Sequence, residues 1–224
     1  EKFLQKEGHK AVWFDAKEGL TTKDPESLPD WKRFLQASCD FHPEPELIEK
    51  INKVKEDVII TQGFFGKTTG GDTALLGRGG SDTSASYFAA KLKASRLEIW
   101  TDVPGMYTTN PAMVSQARLL KKLTYIEAQE MASTGAKVLH PRCIGPVMKY
   151  NIPLQVLCTQ RPELAGTLVS GANEDSGTGV KSVSVRKNIA LISVENVLMW
   201  QEVGFLARLF GKFQSQFFYP GREQ

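Results

Sequence analysis

A glycine-rich loop at residues 76–82 carries the residue types best suited to binding an anion. It reads Leu-Gly-Arg-Gly-Gly-Ser-Asp and precedes a segment with helical spacing. Glycines let backbone N–H groups approach an anion closely, and a helix N-terminus carries partial positive charge. Arg78 can hold a carboxylate through paired hydrogen bonds, and Ser81 or Asp82 can cap the helix. The loop predicts an anion site, and the alternative is a structural turn with a helix cap.

A second candidate follows the apolar run RLEIW at residues 96–100. Thr101 and Asp102 come directly after this run, and Tyr107 lies a few residues further on. Loops at the carboxyl ends of parallel strands are where α/β proteins bind ligands. Asp102 could therefore contact a ribose, an amine or Mg²⁺. It could equally cap a loop before the turn at Pro104-Gly105.

A third candidate is the segment GAKVLHP at residues 135–141. Lys137 lies next to small residues and could reach a phosphate as a point charge. A single lysine is more often simply solvated, so both interpretations stay open. We expect His140, which precedes a proline, to serve packing rather than catalysis.

Other catalytic patterns do not fit. Gly66-Lys67-Thr68 ends like a P-loop, but Thr61 stands where the first glycine of that motif is required. The histidines have no partners at the spacing of zinc ligands, and the chain has no G-x-S-x-G motif. The sequence therefore predicts no metal site formed by protein ligands.

Composition narrows the class of protein. The chain has 224 residues, 41% of them hydrophobic and 24% charged, which excludes disorder, collagen and a disulfide scaffold. A net charge of +3 without a basic cluster argues against nucleic acid. No apolar run is long enough to span a membrane, and the charged start is unlike a secretory signal. Three cysteines without a C-x-x-C motif favour a reducing cytoplasm.

Hydrophobic patterning predicts elements that alternate along the chain. Strands are expected at 10–15, 57–62, 96–100 and 154–158, and residues 63–80 are expected to form a long loop. Helices are expected at 81–94, at 125–133 with a capping box of Thr124 and Glu127, and from 141 to about 150. This alternation predicts an α/β layered fold with a mainly parallel sheet.

The composition changes after residue 170. Residues 171–180 are rich in glycine and polar residues, among them Asn173, Asp175, Ser176 and Thr178, as is typical of a linker. Period-two patterning then predicts strands at 181–186 and 189–194, followed by a helix at 203–213. These elements indicate the opening of a second, small β/α unit.

Five motifs occur together in one order: TQGF at 61–64, LGRGGSD at 76–82, IWTDVPGMYTTNP at 99–111, GAKVLHP at 135–141 and GTLV at 166–169. Together they resemble the carboxyl half of the kinase domain of aspartokinases, above all bacterial lysine-sensitive ones. Residues 86–107 are also similar, more weakly, to bifunctional aspartokinase–diaminopimelate decarboxylases. The resemblance implies the amino-acid-kinase fold, a three-layer α/β/α sandwich, here only partial.

The resemblance also implies an activity and a site. The activity is transfer of the γ-phosphoryl group of ATP to the β-carboxylate of L-aspartate, the first step of lysine, threonine and methionine biosynthesis. Asp82 is the implied catalytic residue and organises the site. The implied aspartate-binding residues are Arg78, Gly79, Gly80 and Ser81. The implied ATP-binding residues, with Mg²⁺ arriving on the nucleotide, are Thr101, Asp102, Tyr107, Lys137 and Val138.

Residues 181–224 resemble the start of an ACT regulatory domain. Such domains usually sense lysine or threonine and pair across a homodimer. The expected organisation is a kinase part at 1–170, a linker at 171–180 and a truncated, incomplete ACT-like α+β unit at 181–224.

The chain also departs from the family pattern. The N-terminal K-F-G-G-T/S segment with its lysine is absent, Asn110-Pro111-Ala112 replaces the usual Asp-Pro-Arg, and the ACT-like pattern fades after Phe213. We therefore expect these 224 residues to be a fragment that does not phosphorylate aspartate on its own. The alternatives are a non-catalytic amino-acid-sensing subunit, a decayed fragment, or another amino-acid kinase, such as one for glutamate, acetylglutamate or uridylate.

Overall fold

The computed structural model describes residues 1–23, 28–135, 138–171, 179–185, 188, 190, 193–194 and 203–217. Within these ranges, none of the helices combines the length and apolar character needed to cross a bilayer. The helices and strands follow in chain order: α1 (Lys2–Lys6), β1 (Ala11–Phe14), α2 (Asp30–Leu35), α3 (Pro45–Asn52), β2 (Val58–Thr61), β3 (Phe65–Lys67), β4 (Thr73–Leu75), α4 (Gly80–Lys91), β5 (Leu97–Thr101), β6 (Lys122–Thr124), α5 (Tyr125–Thr134), α6 (Ile144–Lys149), β7 (Leu154–Cys158), β8 (Thr167–Ser170) and α7 (Phe205–Phe217).

The largest sheet has four strands in the order β5-β7-β8-β6. The β5–β7 and β6–β8 pairs are parallel, as the alternating pattern predicts, but β7 and β8 are antiparallel. Residues 159–166 are too few to hold a crossover helix, so β8 returns beside β7 as a hairpin. The mixed α/β architecture is confirmed.

The main core lies where α4, α5 and α6 cover this sheet. Each helix contributes small or branched apolar residues, and the strands contribute their alternate positions. Burial of each leucine, isoleucine or valine side chain contributes about 1.5–3 kcal/mol. Fully buried members from the sheet and from α6 are Leu123, Ile144, Val147, Leu154, Val156 and Val169.

Two smaller sheets are formed by the strands that precede α4. β1 and β2 pair in parallel, and β3 pairs with β4 as an antiparallel hairpin. The sequence predicts a loop at 63–80, and this prediction is wrong where β3 and β4 form. Strands of only three residues, such as these with Gly66 and Thr73, are too short to show an alternation of apolar residues. Lys67 ends β3, and the next element is strand β4 rather than the helix that follows the lysine of a P-loop.

The chain forms two compact units, Glu1–Arg186 and Lys187–Gln224. In the first unit, residues 181–185 have no regular secondary structure, so the strand expected there is wrong over this range. Single contacts hold them instead: Val183 N donates to Thr108 O at 2.9 Å, and Lys181 pairs with Glu127 at 2.6 Å. Of the strand expected at 189–194, residues 189, 191 and 192 lie outside the described residues, and residues 190, 193 and 194 have no regular secondary structure. The second unit contains α7, near the expected helix at 203–213.

Helix α5 provides a first test, because it leads directly into the GAKVLHP segment. Its predicted capping box is confirmed: the Thr124 hydroxyl accepts from Glu127 N at 3.2 Å, and the Glu127 carboxylate accepts from Thr124 N at 2.8 Å. We expect Thr124→Ala to lower the free energy of unfolding by about 1 kcal/mol in urea titrations. Thr134→Ala is the matched control at the other end of α5 and should change it by less than about 0.5 kcal/mol. Equal effects of the two changes would contradict a capping role.

Candidate functional site

The glycine loop joins β4 to α4 through a left-handed turn. Gly77 and Gly79 have φ angles of +71° and +67°, and Gly79 is the N-cap of α4. The helix therefore begins at Gly80, and no side chain caps it. The prediction that Ser81 or Asp82 caps the helix is wrong, because both lie inside the first turn.

Gly79 lies against the imidazole of His140. A Cβ at position 79 would lie 2.6 Å from His140 Cδ2 and closer still to Cγ. Only glycine fits this contact, and only glycine adopts its φ angle without strain. The packing role expected for His140 is confirmed: its ring lies under the loop, and its Nδ1 accepts a hydrogen bond from Arg142 N at 3.3 Å.

The outer side of the loop presents groups that bind anions. Arg78 and Ser81 are exposed. Gly80 N is already engaged by Gly77 O at 2.9 Å, whereas the next amides of the first turn have no acceptor within the helix. An exposed guanidinium beside helix-start amides can hold a carboxylate through charge-assisted hydrogen bonds.

Asp82 faces inward from the same turn. Burial raises the pKa of its carboxyl group above the usual range, while a hydrogen bond from the His140 backbone N–H and the charge of His140 oppose this shift. Burial also lowers the pKa of His140, and the charges of Arg142 and Arg78 lower it further, against the opposing effect of Asp82. The structure therefore brings Arg78, Asp82 and His140 into one electrostatic cluster.

The second candidate lies at the carboxyl ends of two parallel strands. Thr101 ends β5 and is paired with Cys158 at the end of β7. The Thr101 hydroxyl donates to Asp102 Oδ1 at 3.0 Å, and the Asp102 side chain is exposed. This is the edge of the sheet where α/β proteins bind ligands.

The loop that carries Tyr107 is anchored from β8. The Thr167 hydroxyl accepts from Met106 N at 2.9 Å and donates to Leu120 O at 2.6 Å. Tyr107 is half-buried, and its carbonyl accepts from the Ser182 hydroxyl at 3.3 Å. These bonds fix the backbone around Tyr107 and explain why GTLV belongs with the loop motifs.

The third candidate is only partly described. Lys137 lies outside the described residues, together with Ala136. Val138 is half-buried and packs against the main core, so hydrophobic packing is one of its roles. Among the described residues, no hydrogen bond or ion pair joins the Arg78 loop to the Thr101–Tyr107 segment. The same residues contain no group of three or more His, Cys, Asp or Glu side chains that could hold a metal ion.

Two residues at the glycine loop received no role from the sequence, although Phe64 lies in the TQGF motif. Phe64 has a φ angle of +79°, and its Cδ2 would lie 2.6 Å from a Cβ at Gly80, so its ring borders the start of α4. Arg142 donates from Nη1 to Leu76 O and from Nη2 to Ala37 O, the latter at 2.8 Å. Both contacts join distant parts of the chain, and local spacing cannot show them.

The matching family is described as the amino acid kinase family, and its pattern covers residues 1–158. The chain belongs to this family. Its relatives include the lysine-sensitive aspartokinase 3 of Escherichia coli K12, at 39% identity over 210 residues. They also include the bifunctional aspartokinase/homoserine dehydrogenase of Haemophilus influenzae, at 38% over 201 residues, and the aspartokinase of Rickettsia felis, at 40% over 153 residues.

Solved structures agree with this assignment. The chain resembles the crystal structure of E. coli aspartokinase III with lysine and aspartate at a TM-score of 0.72 and 38% identity, covering 94% of this chain and 46% of that one. It resembles the complex of the same enzyme with aspartate and ADP at a TM-score of 0.66 and 40% identity, covering 77% and 37%. The predicted amino-acid-kinase fold is confirmed.

The chain spans less than half the length of these relatives. It aligns over 93% of its own residues with 45% of the E. coli relative, over 89% with 25% of the H. influenzae relative, and over 68% with 38% of the R. felis relative. The activity of the whole protein therefore belongs among the proposals below.

The fit of Gly79 against His140 leads to a prediction about stability. Gly79→Ala forces a left-handed alanine onto the imidazole, and we expect it to lower the free energy of unfolding by about 2–4 kcal/mol. Gly145→Ala is the matched control, because a Cβ at this helical glycine has open space. The control should leave stability unchanged or raise it by up to about 1 kcal/mol. Equal unfolding midpoints in urea for the two variants would contradict the packing described here.

The environment of Asp82 predicts a pH-dependent gain in stability. Because the folded pKa of its carboxyl group is raised, the native state favours the protonated form, and stability is lost as pH rises through that pKa. Asp82→Asn should therefore have a higher thermal midpoint than wild type at pH 7, and the difference should vanish below the unfolded pKa of the carboxyl. Asp57→Asn, at an exposed position, is the control and should change stability by less than about 0.5 kcal/mol. A destabilised Asp82→Asn at pH 7 would refute this account.

Proposed function

We propose that the protein containing this chain is an aspartokinase, which transfers the γ-phosphoryl group of ATP to the β-carboxylate of L-aspartate. The product is 4-phospho-L-aspartate, from which lysine, threonine and methionine are made. The observation that carries the proposal is the pairing of an exposed Arg78 with the uncapped start of α4 at Gly79. The aspartokinase relatives support the same substrate.

Aspartate would lie on the glycine loop. Arg78 would clamp one carboxylate, and the backbone N–H of Ser81 would donate to an oxygen of the ligand, while Gly79 and Gly80 would let that oxygen approach the backbone closely. Asp82, held by the His140 backbone N–H, would act as the catalytic residue that organises the site. A dicarboxylic amino acid suits this arrangement because it offers two negative groups to a site with positive character.

The nucleotide would lie at the carboxyl edge of β5 and β7. Thr101, Asp102 and Tyr107 would hold it from the loop after β5, and Lys137 with Val138 would reach it from the segment after α5. Mg²⁺ would come with the triphosphate, and the exposed Asp102 carboxylate offers the oxygen ligand that this ion prefers. The ion would neutralise part of the negative charge of the phosphates.

In this reaction the protein contributes positioning and electrostatic stabilisation rather than covalent catalysis. An oxygen of the aspartate β-carboxylate bonds to the γ-phosphorus, the bond to the β,γ-bridging oxygen breaks, and ADP leaves with that electron pair. Arg78 and the helix-start amides hold the attacking carboxylate in line, which converts a bimolecular encounter into an oriented one.

We propose the same boundaries for the larger organisation as the sequence indicates: a kinase part at 1–170, a linker at 171–180 and the start of an ACT-like unit at 181–224. In the whole protein, this unit would sense an amino acid and pair across a homodimer. We also place the protein in the cytoplasm, a location supported by three buried cysteines that form no disulfide.

The test is aspartate-dependent consumption of ATP by the complete gene product, with the acyl phosphate trapped by hydroxylamine. Arg78→Met should raise the KM for aspartate about 10–100-fold, because a charge-assisted hydrogen bond contributes roughly 1.5–3 kcal/mol. Arg96→Met is the matched control: Arg96 is exposed, and among the described residues its ion pair is a local one with Glu98 at 2.9 Å, so its loss should leave both KM values unchanged. Turnover of glutamate, acetylglutamate or uridylate in place of aspartate would refute the proposal.

A further inference from the structure

Arg142 joins the glycine loop to two other parts of the chain. Its guanidinium donates from Nη1 to the carbonyl of Leu76, the residue just before Gly77-Arg78. It donates from Nη2 to the carbonyl of Ala37 at 2.8 Å. Leu76 and Ala37 are both fully buried, so one guanidinium supplies donors to two carbonyls in an apolar surrounding.

The neighbours of Arg142 hold the rest of the loop. Its own backbone N–H donates to His140 Nδ1 at 3.3 Å and so orients the imidazole under Gly79. The backbone N–H of His140 in turn holds Asp82. Residues 140–142 therefore contact the loop before, within and after Arg78.

The side chain of Arg142 is committed to the protein rather than to a ligand. Besides the two carbonyls, it lies beside the buried Tyr87 side chain on α4, where its charge lowers the pKa of the phenol against the larger, raising effect of burial. Arg78, by contrast, is exposed. The planar fork of a guanidinium can donate to several acceptors at fixed angles, which a lysine ammonium does not reproduce.

We propose that Arg142 is a positioning residue for the aspartate site, which fixes the backbone at Leu76 so that Arg78 and the start of α4 meet the substrate carboxylates in one geometry. The proposal rests on the proposed function and assigns a role to a residue outside the binding set. It acts on aspartate binding and leaves the nucleotide loop at Thr101–Tyr107 unaffected.

The experiment compares Arg142→Met, Arg142→Lys and the control Arg96→Met in the complete gene product. For Arg142→Met we expect the KM for aspartate to rise at least about 10-fold and the KM for ATP to stay within about twofold. The KM of Arg142→Lys for aspartate should lie between those of Arg142→Met and the wild type. An unchanged KM for aspartate, or equal rises in both KM values, would overturn the proposal.

Amide hydrogen exchange gives a second readout that does not need activity. Peptides spanning residues 76–82 should exchange at least about 10-fold faster in Arg142→Met than in wild type, and peptides from β7 should not change. Inactive wild-type protein with this exchange pattern would refute the kinase assignment while supporting the positioning role. Unchanged exchange at 76–82 would overturn the positioning role even in an active enzyme.

If Arg142→Met fails to fold, two milder variants still test the proposal. Tyr87→Phe deletes only the hydroxyl that Arg142 contacts and keeps the buried ring, so we expect a smaller rise of about 2–3-fold in the KM for aspartate, again without a change for ATP. Together with Arg142→Lys, this variant decides the question: a folded pair with wild-type KM values and wild-type exchange at 76–82 would contradict the proposal.

Discussion

The site depends on one steric constraint, the contact of the Gly79 backbone with the imidazole of His140. No side chain fits at position 79, so the chain can turn there only in the left-handed conformation that glycine allows. Helix α4 must then begin at Gly80 without a side-chain cap, and the amides of Ser81 and Asp82 have no acceptor within the helix. The same turn directs Arg78 outward and Asp82 inward.

The core keeps His140 in place. Directly after His140 and Arg142 come Cys143 and Ile144, which are fully buried in the cluster beneath α4 and α5. Burial raises the pKa of Cys143 to about 12, so its thiol stays neutral and acts as a small apolar group. Burial of Cys143 and Ile144 thus fixes the position of the polar residues that precede them, His140 and Arg142.

Local patterns made part of this structure predictable. The strand β7 and the capping box of α5 each follow from residues within one short segment, and the five motifs together indicate the family. The hairpin β3–β4 and the antiparallel return of β8 were missed because short strands carry little alternation. Arg142 was missed for another reason, since its partner Leu76 is far away in sequence. Sequence periodicity indicates which residues of one helix or strand are buried, but it does not indicate which residues of different elements are in contact.

Two arginines near the loop differ in role because they differ in surroundings. Arg142 is bound to backbone carbonyls, whereas Arg78 is exposed, yet the charges of both lower the pKa of His140, after the larger effect of burial. His140 Nδ1 accepts a hydrogen bond from Arg142 N, and only an imidazole without a proton on Nδ1 can do this. Burial and the positive charges of Arg142 and Arg78 therefore act in the same direction, since each favours the neutral imidazole that can accept this hydrogen bond beneath Gly79.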